Sequence, residues 1–116
     1  MDKPYDLEER TFLFAKECRH YIKILPKTIS NIEDGKQLIR SSGSVGANYI
    51  EANEKLSDRD LVFRLKVARK EAKESKYWLC LLHDLNPEEQ TFSESLLLEI
   101  EQLWKILSTI ITKTTH

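Results

Sequence analysis

The chain has 116 residues, 41% of them hydrophobic and 32% charged, with a formal net charge of −1, three glycines and three prolines. That length suits one domain with a real core, and the mixture excludes a disordered chain, a membrane-spanning one, and a protein drawing nucleic acid by a global basic field. So few turn-formers in a chain rich in Leu, Glu, Lys and Ile predict long helices on short loops, a single all-α domain over 1–116.

Asp6 followed by Glu9 predicts a helix start, a side-chain cap with a carboxylate three residues on. Leu7, Phe14, Cys18, Tyr21 and Leu25 recur at helical spacing, with Phe12, Ala15 and Ile22 widening the stripe, and Pro26 ends it. Ser30 or Asn31 caps a second helix running to about Leu56. Its stripe is Leu38, Ser42, Val45, Tyr49, Ala52 and Leu56, flanked by Ile39, Gly46 and Ile50. Ser57, with Asp60 three residues later, caps a third helix that reaches Leu85 and is stopped by Asn86-Pro87. Leu61, Leu65, Ala68, Ala72, Ser75, Leu79 and Leu82 form its core stripe. After a polar loop from Asn86 to Thr91, Ser93 caps a fourth helix carrying Leu96, Ile100, Leu103, Leu107 and Ile110, with Thr114 to His116 frayed. Four helices on short connections predict an antiparallel up-down bundle.

Two stretches depart from an ordinary bundle. In Ser41-Ser42-Gly43-Ser44-Val45-Gly46-Ala47, each glycine costs about 1 kcal/mol of helix propensity relative to alanine. Close approach to the third helix, through Ala68, Ala72 and Ser75, would offset that cost. A phosphate-gripping Gly-x-x-Gly turn would instead require the helix to break at Gly43. On the third helix, Phe63, Val67, Trp78 and Leu81 lie far round from the core stripe, so one core cannot receive both faces. That second face is expected to be a contact between subunits of a homo-oligomer.

Charge is unevenly spread. Lys36 to Lys76 holds ten Lys or Arg against six Asp or Glu, whereas Tyr77 onward holds two against six. Lys66, Arg69, Lys73 and Lys76, at spacings of three, four and three, share a helix face with Lys70 and Arg59 beside them. Such a face can neutralise phosphates of RNA or DNA, unless i,i+4 pairs such as Lys70–Glu74 reduce it to a solvated surface. Arg40, Ser44, Asn48 and Glu51, with Arg64 and Glu71 opposite, suggest a polar network between helices or subunits.

No pattern of residues carries catalysis. Glu51 and Glu71 have no nucleophile or glycine-rich cofactor loop near them. His20, His83 and His116 are scattered without metal-ligand spacing, so neither metal nor cofactor is expected and the chain reads as a non-enzyme. Cys18 and Cys80 fall within helical patterns and read as free thiols. Met1 is followed by Asp2 and Lys3 rather than an apolar leader, which predicts a cytoplasmic, membrane-independent protein.

The residues Leu7-Glu8-Glu9-Arg10-Thr11, Leu25-Pro26, Gln37-Leu38-Ile39-Arg40-Ser41-Ser42, Ser44 through Ala52 and Lys66 through Leu79 form a recognisable series. The chain resembles the bacterial four helix bundle protein family encoded in intervening sequences of 23S ribosomal RNA genes. The resemblance implies an antiparallel bundle assembled as a ring-like homopentamer. It also implies similarity to the accessory variability determinant of diversity-generating retroelements, a basic pentameric barrel that binds nucleic acid and a reverse transcriptase. The expectation is a non-enzymatic oligomer binding RNA or another nucleic acid weakly through its basic faces. A protein-interaction scaffold without nucleic-acid affinity is the alternative.

Overall fold

The computed structural model describes residues 6–115 as four helices: α1 (Leu7–Ile24), α2 (Ile29–Asn53), α3 (Asp58–Leu85) and α4 (Gln90–Thr114). A 3-10 turn, Pro87–Glu89, separates the last two. Met1, Asp2, Lys3 and His116 lie outside the described residues.

Local chemistry sets most helix ends. Asp6 Oδ1 accepts from the Glu9 N–H at 2.8 Å, and Ser57 Oγ from the Asp60 N–H at 3.0 Å. Leu25, held extended before Pro26, closes α1. Two starts differ from expectation. The cap of α2 is Thr28, whose Oγ1 accepts from the Asn31 N–H at 3.1 Å. Asn31 is instead buried and bonded reciprocally to Asn86, Nδ2 to Oδ1, at 2.8 and 2.9 Å. α4 begins at Gln90 because the Pro87–Glu89 turn leads directly into it. Ser93 is no cap: it is fully buried, 2.6 Å from His83 Nδ1. α2 ends at Asn53, so Leu56, expected on its core stripe, projects into solvent.

Neighbours in sequence are neighbours in space, and α1 also meets α4. Across each seam, positions rise on one helix as they fall on the other. Glu8 faces Asn53 and Arg19 faces Ser42; Asn48 faces Arg64 and Arg40 faces Glu71; Arg69 faces Ser108 and Lys76 faces Glu101. The bundle is therefore antiparallel and up-down.

Its core holds Phe14, Cys18, Tyr21, Leu38, Val45, Leu65, Leu79, Leu82, Ile100, Leu103 and Leu107. Ser41 and Ser75 meet inside it, hydroxyl to hydroxyl at 2.8 Å, marking a close α2–α3 approach. The glycines serve a different seam. A Cβ on Gly46 would stand 2.9 Å from Thr11 Oγ1 of α1, and one on Gly43 would stand 3.3 Å from Arg19 Nη2. The helix runs unbroken through both positions, so there is no Gly-x-x-Gly turn.

Burial pushes the Cys18 thiol up to about 12, while Cys80 is exposed. One thiol per chain should therefore react with a thiol reagent in the native protein and two in denaturant. Rapid labelling of both without denaturant would show that the α1–α2 seam opens.

Candidate nucleic-acid interface

α3 displays the basic face because its small and aliphatic stripe, Leu65, Ala68, Ala72, Ser75 and Leu79, turns inward. The six cations divide into two groups. Lys76 Nζ donates to Glu101 Oε1 of α4 at 2.8 Å. Arg69 donates to Ser108 Oγ at 3.4 Å and lies over the Trp104 ring, 5.9 Å from its centroid. These two tie α3 to α4. Arg59, Lys66, Lys70 and Lys73 are exposed and, among the described residues, join no ion pair.

Lys70 and Glu74, four residues apart, form no ion pair, and the Glu74 carboxylate is engaged across the α2–α3 seam. Glu74 Oε2 is taken by Arg40 of α2 and by the Trp78 indole N–H, the latter at 2.9 Å. The indole, and then Arg40, hold the Glu74 carboxyl below the usual glutamate range. A depressed folded value means the stabilisation is present above the unfolded value of about 4.3 and lost as pH falls through the folded one. Acid should therefore loosen the α2–α3 seam, which the near-ultraviolet signal of Trp78 would report. A signal flat from neutral pH to well below the glutamate range would contradict this.

The polar network is narrower than its sequence pattern. Arg40 also donates to Glu71 Oε1 at 3.2 Å, and Arg64 donates to Asn48 Oδ1 at 3.4 Å and approaches Asp60 at 3.8 Å. Arg64 thus pairs away from Glu71. Among the described residues Glu51 is exposed without a side-chain partner, and Ser44 contributes its carbonyl, which accepts from Asn48. The contacts of Arg40 and Arg64 hold helices together.

The second apolar face of α3 is uneven. Phe63 is 57% exposed. Val67 and Leu81 are half-buried, and Trp78 packs against the core with its indole N–H engaged by Glu74. Of the four expected contact residues, Trp78 is largely committed within its own chain. A further apolar surface went unrecognised. Phe12, Ala15, Gly43, Gly46, Ala47 and Ile50 line a groove of about 520 Å³ between α1 and α2, with Lys16, Arg19 and His20 at its edge. Phe12, expected to widen the core stripe, is 65% exposed there. Its signal was an apolar residue at about 140° from the centre of the α1 stripe at 100° per residue.

Among the described residues no helix is long and apolar enough to cross a membrane, and no group of three or more His, Cys, Asp or Glu could hold a metal ion.

No curated protein matches the chain. A protein of unknown function from the S23 ribosomal protein family of Bacteroides thetaiotaomicron, solved by crystallography, superposes with a TM-score of 0.79 at 30% identity. The match covers 90% of this chain and 96% of that one. The family described as 23S rRNA-intervening sequence protein matches residues 4–109. With nearly the whole length matched and the four-helix fold in place, the chain belongs to the 23S rRNA-intervening sequence protein family.

Proposed function

We propose that this protein is a non-enzymatic, self-associating cytoplasmic bundle that binds nucleic acid through the basic face of α3. The observation that carries this reading is the exposure of Lys66, Lys70 and Lys73 on one helix with no carboxylate partner among the described residues. Cations left unpaired beside so many acidic residues are available to phosphate, which positions a ligand without reading its sequence. Repetition of a modest site around a homo-oligomer, a pentamer by the family resemblance, raises avidity without new contacts. A near-neutral chain can bind in this way because screening confines each field to about 10 Å at 0.1 M salt.

Self-association is supported by two separate apolar surfaces, the Phe63–Val67–Leu81 side of α3 and the α1–α2 groove. A second copy seating one in the other makes a heterologous contact, the kind that closes into rings. Sedimentation velocity should show an oligomer that Phe63→Asp or Ala47→Asp converts to monomer. A monomeric parent protein would remove the self-association part of this reading.

Nucleic-acid binding is tested by fluorescence anisotropy of labelled RNA with nucleic-acid-free protein at low salt. Saturable binding is the expected result. No binding, together with specific retention of a protein partner, would favour an interaction scaffold instead.

A further inference from the structure

Beside the basic face, α3 and α4 enclose a groove of about 210 Å³ lined by Ala72, Lys73, Lys76, Ile100, Glu101 and Trp104. Its lining is mixed in a specific way. Ala72 and Ile100, buried core residues, form an apolar floor. The half-buried Trp104 indole supplies an aromatic wall, with the Arg69 guanidinium over it, 5.9 Å from the ring centroid. Lys73 and Lys76 stand at the α3 lip, continuing the line of Lys66 and Lys70. An apolar slot with an aromatic wall and a cationic lip matches a planar ring joined to an anion.

We propose that this groove is a nucleotide subsite, lodging one unstacked base against Trp104 while its flanking phosphates lie on Lys73 and Lys76. The proposal rests on the basic face binding nucleic acid and adds the class: single strands rather than duplex. In a duplex the bases are stacked inward and only phosphate reaches a flat helix face; a single strand can turn a base out. Glu101 acts as an internal competitor, holding Lys76 Nζ at 2.8 Å until a phosphate replaces its carboxylate.

The test uses the full chain, a labelled oligouridine strand and a duplex of mixed sequence. The parent protein should bind the strand more tightly than the duplex. Trp104→Leu keeps the apolar packing and removes the platform, and should weaken strand binding about tenfold with an unchanged salt slope, whereas Trp104→Phe should stay within about threefold. Glu101→Gln frees Lys76 and should tighten binding, raising the magnitude of the salt slope by about 0.7. Glu101→Gln also decides the matter should Trp104→Leu lose helicity, since unchanged affinity and slope in that variant overturn the proposal.

Equal binding of strand and duplex, indifferent to Trp104→Leu, would overturn the subsite and leave the basic face as a plain phosphate surface. Failure of the parent protein to bind either ligand would overturn both.

Discussion

Replacing Lys66, Lys70 and Lys73 together with glutamate should weaken RNA binding at least about a hundredfold at low salt and cut the salt slope by about 2. Helicity and assembly should be unchanged. The choice of positions matters. All three are exposed on α3 and, among the described residues, make no ion pair, so reversing them breaks none of the ion pairs between the helices. Reversing Lys76 would set a second carboxylate against Glu101, and reversing Arg69 would remove the cation over the Trp104 ring. Either change confuses lost binding with a loosened α3–α4 seam. The face spans Lys66 to Lys73, seven residues or about 10 Å along the helix, room for more than one phosphate. A triple variant that binds RNA as the parent does would place the interface elsewhere on the molecule.

The largest expected effect on stability lies at the opposite pole of the sequence reading, in Asn86. Asn86→Ala should cost about 3 kcal/mol in urea unfolding, a large share of the stability of a domain this size. Asn86 Nδ2 donates to Asn31 Oδ1 at 2.9 Å and to Leu82 O at 2.8 Å, while Asn31 Nδ2 donates to Asn86 Oδ1 and to Pro26 O. Both residues are 5% exposed, so removing Asn86 leaves Asn31 Oδ1 and the Leu82 carbonyl without their donor at a site little open to water. The clasp joins the start of α2, the end of α3 and the turn after α1. Removing both amides should therefore cost much less than the two single losses together. Additive losses would show that the amides act independently.

These residues also show what the sequence could and could not convey. Asp6, Ser57, Pro26 and Asn86-Pro87 act within a few residues of themselves, so the helix ends they set were legible. Thr28, Ser30 and Asn31 are all competent caps, and local chemistry cannot rank them. The choice fell to Thr28 because Asn31 is drawn to a partner 55 positions away. Ser93 reads as a cap for the same reason and is taken by His83 instead. Periodicity found the small residues of α2 but could not say which neighbour they face: Ser41 meets α3, whereas Gly43 and Gly46 meet α1.

The candidate site was legible to the same depth. Spacing placed Lys66, Arg69, Lys73 and Lys76 on one face. Their division into bonded and unpaired groups depends on Glu101, Ser108 and Trp104, supplied by α4, whose placement beside this face of α3 no local pattern fixes. The Lys70–Glu74 pair had the right spacing, yet the Glu74 carboxylate is engaged by Arg40 and Trp78 instead. Spacing alone sets Phe12 about 140° from the centre of the α1 stripe, so its exposure was legible; that Phe12 and Ile50 line one groove follows only from the packing of α1 against α2.

The central claim, a phosphate-binding face on α3, is tested most directly by titrating labelled single-stranded RNA across a salt series and plotting log affinity against log salt. A slope of about −2 or steeper is predicted, from three unpaired lysines at roughly 0.7 per phosphate on a single strand. A slope near zero, or no binding at the lowest salt, would contradict it.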